Sequence, residues 1–327
     1  MGTEEETPLA VPGVQGIAER WPRLVDFERW RDTAITLQLW TQIAGKVRFA
    51  LTPWLNHGWQ VPLYVDTRGL TTSPIHHRGG LFELVFDFIA HRFEIRTSEA
   101  AGRGFALEPM SVASFYRRLM AELAGLGIEA TFSRLPNEVP SPIPFDTDEL
   151  HASYDASAVQ SFWRALVQAD RVLRRFRTAF LGKASPVHFF WGSFDLAVTR
   201  FSGRRAPLHP GGVPGLPDAV TREAYSHEVS SAGFWPGSDA YPHAAFYSYA
   251  YPSPPGFAQA RVEPAGAVWS ETLGEWLLPY EAVRSASDPD AALLAFLEST
   301  YRAAAELARW DADLACELGV PRRPRPV

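Results

Sequence analysis

Residues 81–97 read LFELVFDFIAHRFEIRT, and this stretch indicates the fold class. Phe82, Leu84 and Phe86 alternate with other residues, and the same period resumes after a short break. Apolar side chains at every second position put one face of a strand against a core. The stretch therefore predicts two strands joined by a turn near residues 89–92, which is an antiparallel hairpin.

Helical patterns lie on both sides of such strands, twice along the chain. Apolar residues recur at helical spacing in residues 35–47 and again in residues 162–176, where Asp155 is the predicted N-cap. Two later helices are predicted from their starts, one capped by Ser111 and one capped by Asp288 with a proline directly after it. Each half is therefore expected to contain a helix, several strands and a second helix.

A Gly-Lys pair follows the first helical pattern in each half. The chain has 31 lysine and arginine residues, but only Lys46 and Lys183 are lysines. Because a compact ammonium differs from a planar guanidinium in its hydrogen bonding and its pKa, the two retained lysines indicate a specific role. The alternative is that each lysine caps the carboxyl end of its preceding helix through the helix dipole.

The repeated order predicts an α+β fold of two similar halves, each an antiparallel sheet flanked by helices, packed with pseudo-twofold symmetry. A cluster of prolines separates the halves, and prolines in such numbers interrupt both helix and strand. The predicted divisions are a flexible tail at 1–20, a first half at 21–133, a proline-rich linker at 134–150, a second half at 151–315 with a long insertion at 203–260, and a basic tail at 316–327.

The composition restricts the class of protein. Hydrophobic residues make up 46% of the chain, which is enough for a sizeable core, and the formal net charge is −6. An acidic balance argues against the basic face that nucleic-acid binding needs and against the polybasic helix of a membrane-surface protein. Cys316 is the only cysteine, so no disulfide can form within the chain, and we expect a reducing, cytoplasmic location.

Long motifs in both halves carry a family resemblance. In the second half these are SPVHFFWGSFDLAVTRFSGR (185–204), HPGG (209–212), EAYSHEVSSAGFWPG (223–237) and YSYAYP (247–252). In the first half they are DTAITLQLWTQIAGKVRFAL (32–51), VPLYVDTRGLTTSPI (61–75) and PIPFD (142–146). The chain resembles a bacterial family of unknown function, the domain-of-unknown-function family 5996, over roughly residues 20–315. The resemblance implies no activity, substrate or catalytic residue.

Four polar residues of the second half are the predicted catalytic groups, namely Lys183, His188, Asp195 and His227. A histidine beside a carboxylate has a pKa in the range for proton transfer near neutral pH. A lysine close to a second lysine at the interface of the halves would act as an activated amine, because a neighbouring cation lowers its pKa. The competing interpretation is that these groups are hydrogen-bonded structural residues.

Other residues are predicted to bind a ligand. Arg68 and Arg200 follow strands near glycines, and an arginine fork suits a carboxylate or a phosphate. Lys46 is expected to approach the same cleft as Lys183. Aromatic walls hold flat or sugar-like ligands, and the predicted walls are Trp191, Tyr225 and Trp235. The alternatives are salt bridges for the arginines and core packing for the aromatic residues.

A divalent metal site is a second hypothesis. His209, Glu223 and His227 lie within one segment, and a spacing of four would put Glu223 and His227 on one face of a helix. The sequence contains no H-E-x-x-H motif and no cysteine pair. The metal site is therefore an alternative to a hydrogen-bonded pair of carboxylate and histidine.

The function expected from these residues is that of a small-molecule enzyme of unknown reaction class. Its histidine, carboxylate and lysine groups would lie with aromatic walls at the junction of the halves. Two alternatives are open: a metal-dependent enzyme that uses His209, Glu223 and His227, and a non-catalytic ligand-binding or scaffold protein. The expected partner is a small-molecule ligand rather than nucleic acid or a membrane, and the oligomeric state is left open.

Overall fold

The computed structural model describes residues 20–99 and 102–316. It contains helices and two antiparallel sheets of six strands each, which confirms the predicted α+β class. Nearly all residues of the two predicted tails, 1–20 and 316–327, lie outside the described residues.

The first sheet follows a long helix and precedes a shorter one. The elements are α1 (Phe27–Leu51), β1 (Tyr64–Val65), β2 (Gly69–Thr71), β3 (Ile75–His77), β4 (Gly80–Asp87), β5 (Arg92–Thr97), β6 (Arg103–Ala106) and α2 (Val112–Gly125). The strand order is β1-β2-β4-β5-β6, and β3 also pairs with β4. The hairpin of β4 and β5 is confirmed, with Phe86 opposite Phe93. Its turn is closed by the Asp87 carboxylate, which accepts hydrogen bonds from the Ile89 and Ala90 amides at 2.9 and 2.8 Å.

The second sheet has the strand order β11-β12-β10-β9-β8-β7. The elements of this half are α3 (Ala156–Arg177), β7 (His188–Phe190), β8 (Asp195–Arg205), α4 (Asp218–Ala224), β9 (His227–Trp235), β10 (Ala245–Tyr251), β11 (Val268–Ser270), β12 (Glu275–Pro279), α5 (Tyr280–Arg284) and α6 (Pro289–Leu307). The segment expected as an insertion at 203–260 thus includes β9 and β10 in the middle of the sheet. Ser230, Ser231 and Gly233 interrupt the apolar alternation of β9, which hides this strand in the sequence.

The predicted helix starts are found where expected. The Ser111 hydroxyl accepts a hydrogen bond from the Ser114 amide, and the Asp155 carboxylate accepts from the Ser157 and Ala158 amides. Asp288 caps α6 in the same way, with Pro289 in the first turn. Each cap binds amide groups that have no partner inside the helix.

One hydrophobic core extends through both halves. In the first half, Trp40 of α1 stacks on Phe115 of α2 at 5.0 Å, and Phe115 also contacts the sheet through Phe86. In the second half, Phe162 of α3 packs against Phe234 of β9. The ring centroids of Trp30 on α1 and Phe162 lie 5.2 Å apart, so the helices of the two halves share this core.

The two sheets meet at a reciprocal pair of backbone hydrogen bonds. The Leu63 amide donates to the Phe189 carbonyl at 2.9 Å, and the Phe189 amide donates to the Leu63 carbonyl at 2.8 Å. The two residues hold similar places in the sequences VPLY and VHFF. The backbone therefore connects the halves at the edges of their sheets, and pseudo-twofold symmetry stays a prediction.

The linker packs along α1. Its residues 134–150 contain no helix or strand, and two side chains one helical turn apart on α1 bind it. The Gln42 amide exchanges two hydrogen bonds with the Asn137 backbone, and the Lys46 ammonium donates to the Leu135 carbonyl at 2.7 Å. Lys46 is buried inside α1 rather than at its end, so it neither caps the helix nor lines a cleft with Lys183.

Candidate functional site

Two predicted catalytic residues, Lys183 and His188, lie around one indole at the junction of the halves. Trp59, in the loop after α1, has ring contacts with His57 at 5.4 Å, His188 at 5.9 Å and Phe201 at 5.8 Å. The ammonium of Lys183 lies 4.9 Å from the centre of the same indole. This group is called the junction cluster, and its members are His57, Trp59, Lys183, His188, Phe201, Glu223 and His227.

Glu223, in the last turn of α4, binds His57 directly and is linked to His227 through Ser226. Its carboxylate accepts a hydrogen bond from the His57 amide at 2.8 Å, which ties the first half to α4. Its backbone carbonyl lies 3.3 Å from His57 Nδ1 and also accepts a hydrogen bond from the Ser226 hydroxyl at 2.9 Å. The imidazoles of His57 and His227 lie 5.6 Å apart as a result.

These hydrogen bonds define which nitrogen of each ring carries the hydrogen. A carbonyl only accepts, so His57 Nδ1 must donate to the Glu223 carbonyl. The Ser226 hydroxyl donates its hydrogen to that carbonyl, so it accepts from His227 Nδ1 at 3.2 Å. In the neutral rings, Nε2 of both histidines is therefore an available proton acceptor.

Lys183 lies between two aromatic faces at the edge of the cluster. Its ammonium is 4.9 Å from the Trp59 ring and 5.3 Å from the Phe201 ring, which is a cation–π arrangement. Partial burial lowers the pKa of Lys183, and the nearby Glu223 opposes this shift. The pKa of His57 is also lowered, first by burial and then by the Lys183 charge, so His57 is a neutral base near pH 7.

His188 is the most deeply buried member of the cluster. Its side chain is 0% exposed, and neither ring nitrogen has a hydrogen-bond partner among the described residues. Rings of Trp59, Tyr64 and Phe190 surround it. Burial, with the positive charges of Arg48 and Arg177, lowers the pKa of His188 to about 3. The ring is therefore neutral and carries unused hydrogen-bonding groups.

A cleft of about 390 Å³ opens beside Lys183. Its volume falls in the range of small-molecule sites. The lining residues are Arg174, Arg177, Thr178, Phe180, Gly182, Lys183 and Ala184. Among these lining residues, Lys183 alone belongs to the junction cluster, so the cleft borders the cluster at Lys183.

Asp195, the remaining predicted catalytic residue, lies in a separate acidic group. Its carboxylate accepts hydrogen bonds from the Ser193 hydroxyl at 2.5 Å and from the Tyr247 hydroxyl. Glu138 and Glu275 lie near enough for the Asp195 charge to raise the pKa of each, and burial contributes the larger part of a rise to about 7. Neither glutamate carboxylate has a hydrogen-bond or ion-pair partner within the described part of the chain.

Two predicted aromatic walls lie on this same acidic side of the second sheet. The Tyr225 hydroxyl is 2.9 Å from the Tyr249 hydroxyl, and Trp235 stacks on Tyr241 at 5.8 Å. Burial is the main cause of a raised pKa for Tyr225, and the charges of Asp195, Glu275 and Glu138 add to it. Tyr225 and Trp235 are thus placed beside Asp195 rather than around Trp59.

The two predicted arginines lie elsewhere. Arg68 forms an ion pair with Asp87 at 2.5 Å on the first sheet. Arg200 is 0% exposed and packs among Phe176, Phe180 and Tyr301 on the helix side of the second sheet. Neighbouring residues of a strand alternate between its faces, which separates Arg200 from the opposite face that carries Phe201.

Trp191 is a wedge between the halves instead of a cleft wall. Its indole donates a hydrogen bond to the Val61 carbonyl at 2.8 Å and lies flat against Gly45 of α1. A Cβ at Gly45 would be 2.2 Å from the indole nitrogen. The glycine of the first Gly-Lys pair is therefore required for close packing.

We expect Gly45→Ala to lower the free energy of unfolding by about 1–3 kcal/mol, although alanine is the better helix former by ~1 kcal/mol. The matched control is Gly125→Ala at the end of α2. There the added Cβ meets the flexible end of Arg103 at 2.7 Å, which can move away, so stability should hold or rise. Urea unfolding of both variants measures the difference, and equal stability of the two would contradict the wedge.

The predicted metal ligands are not brought together. Within residues 20–99 and 102–316, no three histidine, cysteine, aspartate or glutamate side chains are grouped so as to hold a metal ion. His209 stacks on Tyr225 at 5.0 Å, and its Nδ1 accepts a hydrogen bond from the Gly211 amide. Helix α4 ends at Ala224, so Glu223 and His227 do not share the helical face that their spacing suggested.

Several members of the two polar groups are not apparent from the sequence. His57 and Trp59 lie in a short loop of the first half, far along the chain from Lys183. Glu138 lies in the linker, and its carboxylate touches Gly192 in the turn before Asp195. His57 has a positive φ of 60°, and its amide donates a hydrogen bond to Glu223. Nothing in the sequence NHG predicts this conformation.

A family model matches residues 21–316, nearly the whole chain, and its description is a family of unknown function, DUF5996. The chain belongs to this family. Comparison with curated proteins and comparison with solved structures give no significant match. No helix within the described residues of this protein is both long and apolar enough to cross a membrane.

Proposed function

We propose that this DUF5996 protein is a small-molecule enzyme that carries out acid–base chemistry at the junction cluster. The observation that supports this best is that Lys183 and His57 contact one indole and that His227 lies 5.6 Å from the His57 ring, which brings together residues from both halves. Groups that transfer protons must lie within hydrogen-bond reach of a bound substrate, and Lys183 lines a cleft of a size that suits a small molecule.

The cluster supplies a base and a neighbouring cation. His57 and His227 present Nε2 as a base, because their Nδ1 hydrogens are already bound. Lys183 is a cation beside them and would stabilise negative charge that develops on a substrate when a proton is removed. Trp59 would hold an apolar or flat part of the ligand, as aromatic walls do in small-molecule sites.

The single cysteine bears on the location of the protein. Cys316 is a free thiol, which supports a cytoplasmic protein.

The non-catalytic alternative uses the same cluster for binding alone, and conversion of the bound compound distinguishes an enzyme from a binding protein. The metal-dependent alternative lacks a grouped ligand set within the described ranges and is not carried further.

The test begins with a thermal-shift screen of a metabolite panel, followed by mass spectrometry of each stabilising compound after incubation. We expect at least one compound to bind and to be converted. Lys183→Arg keeps the charge and the cation–π contact but replaces the compact ammonium with a larger planar guanidinium, which would not reach the same point beside the developing charge, so binding should persist while conversion falls by about 100-fold or more. His227→Gln should reduce conversion by a similar factor.

The control variant is Arg164→Gln on the exposed side of α3, where the side chain has no ion pair or hydrogen bond to described residues. Arg164→Gln should behave as the unaltered protein. Conversion that survives both Lys183→Arg and His227→Gln would contradict the proposal. Binding without conversion of any stabilising compound would favour the non-catalytic alternative.

A further inference from the structure

We propose that the junction cluster takes an anionic ligand, whose carboxylate or phosphate group binds in the cleft between Arg177 and Lys183. This inference rests on the site named in the proposed function and adds the chemical class of its ligand. It is derived from the ion pairs of the cleft, from the neighbourhood of His188 and from the cleft volume.

The cleft holds cations that the protein leaves without partners. Arg174 is paired with Asp170 at 2.6 Å on α3, which accounts for its charge. The side chains of Arg177 and Lys183 are exposed and have no hydrogen bond and no ion pair to any residue in the described ranges. Glu223 is the one carboxylate of the junction cluster, and its side chain already accepts the His57 amide.

The helix dipole explains only part of this arrangement. Cations in the last turn of α3 are stabilised by its carboxyl end, and Arg174, Arg175 and Arg177 lie there. Lys183 is outside the helix and approaches from the segment before β7. A carboxylate or phosphate between Arg177 and Lys183 would pair both charges, because guanidinium groups bind such anions with two parallel hydrogen bonds.

His188 does not line the cleft, but the charge of Arg177 acts on it. A wholly buried imidazole with both nitrogens unpartnered is costly, because a buried polar group without a hydrogen bond loses its hydration. The charged and titratable groups that face it are Arg48 from α1, Arg177 from α3 and Tyr64 from β1, and none of these is a carboxylate. Arg48 also has a buried guanidinium nitrogen, Nη1, with no partner in the described chain.

The surroundings therefore have unused donors and an excess of positive charge. An anion between Arg177 and Lys183 would neutralise part of this excess charge. The cleft volume of about 390 Å³ admits a metabolite-sized anion, and the Phe180 ring in its lining offers apolar contact. A small aromatic acid and inorganic phosphate represent the two sources of such an anionic group.

The test is isothermal titration calorimetry of the full chain with benzoate, its neutral analogue benzamide and inorganic phosphate as probes. We expect benzoate or phosphate to bind at least about tenfold more tightly than benzamide. Tighter binding of benzoate assigns a carboxylate ligand, and tighter binding of phosphate assigns a phosphorylated one. Arg177→Gln and Lys183→Gln should each weaken the favoured anion by about tenfold, whereas the α3 control Arg164→Gln should leave it unchanged.

Equal binding of anion and neutral analogue would overturn the inference, as would no binding of either anion up to about 20 mM. An equal loss in Arg177→Gln and Arg164→Gln would also overturn it, since that pattern shows a general charge effect. The proposed function is judged separately. Conversion of a neutral or cationic compound, if it depends on Lys183 and His227, would support the proposed enzyme and contradict the inference of an anionic ligand.

Discussion

His188→Phe should stabilise the protein, by about 1–3 kcal/mol near pH 7, while it abolishes ligand binding at the junction cluster. The imidazole is 0% exposed among aromatic rings, and its two nitrogens have no partners within the described residues. Phenylalanine fills similar space without a polar group to desolvate. Stabilisation with loss of binding is the pattern of a residue retained for function rather than for folding.

The gain should increase in acid. The pKa of His188 is about 3 in the folded protein and 6.5 in its unperturbed state, so between these values only the unfolded chain binds the proton. The unaltered protein should lose about 2 kcal/mol between pH ~7 and pH ~5 through this group, and His188→Phe should lose none of it. Urea unfolding at several pH values measures both curves.

His151 provides the matched control. Its Nδ1 lies 2.8 Å from the buried Asp148 carboxylate, so its ring has a partner. His151→Phe should therefore destabilise the protein. If His188→Phe also destabilises it at every pH, the imidazole has a structural partner and is not available to a ligand.

Glu138→Gln and Glu275→Gln should each stabilise the protein by about 2–3 kcal/mol near pH 8 and have little effect near pH 4.5. Each glutamate has a pKa of about 7 in the folded protein, against 4.5 for the free group. As pH rises between these values, the unfolded chain releases its protons while the folded one retains them. The folded state therefore loses stability over this interval, and a neutral glutamine removes the loss.

The two glutamine variants should not add fully, because both glutamates interact with Asp195. Glu129→Gln at an exposed position is the control and should leave the pH dependence unchanged. Denaturant unfolding across pH ~4–9 distinguishes the outcomes. Parallel curves for Glu138→Gln and Glu129→Gln would show that Glu138 is solvated and that the acidic group is not a unit.

The parts of the fold that follow from neighbouring residues are apparent in the sequence. The caps at Ser111, Asp155 and Asp288 and the hairpin of 81–97 each depend on a few adjacent residues. Strand β9 does not, because its serines and Gly233 pack through partners on β8 and β10. Gly233 has no side chain so that Tyr247 can cross the sheet to Asp195, and that reason is visible only in three dimensions.

The sequence predicts only part of the site, because some of its residues are brought together by contacts between distant parts of the chain. Residue type and position in the second half indicate Lys183, His188 and His227, of which Lys183 and His188 contact Trp59 and His227 contacts His57. His57 and Trp59 come from the first half, and their place depends on the contact of one loop with Glu223. The two similar Gly-Lys pairs predicted that both lysines approach one cleft. In the structure, Lys46 binds the linker whereas Lys183 lines a cleft.

The most direct measurement of the central claim is a crystal structure of the protein with the compound that stabilises it most in the metabolite screen. We predict density for that compound in the cleft beside Lys183, in contact with Trp59 and within hydrogen-bond distance of His57 or His227. Density in the acidic group around Asp195, with the cleft empty, would contradict the account.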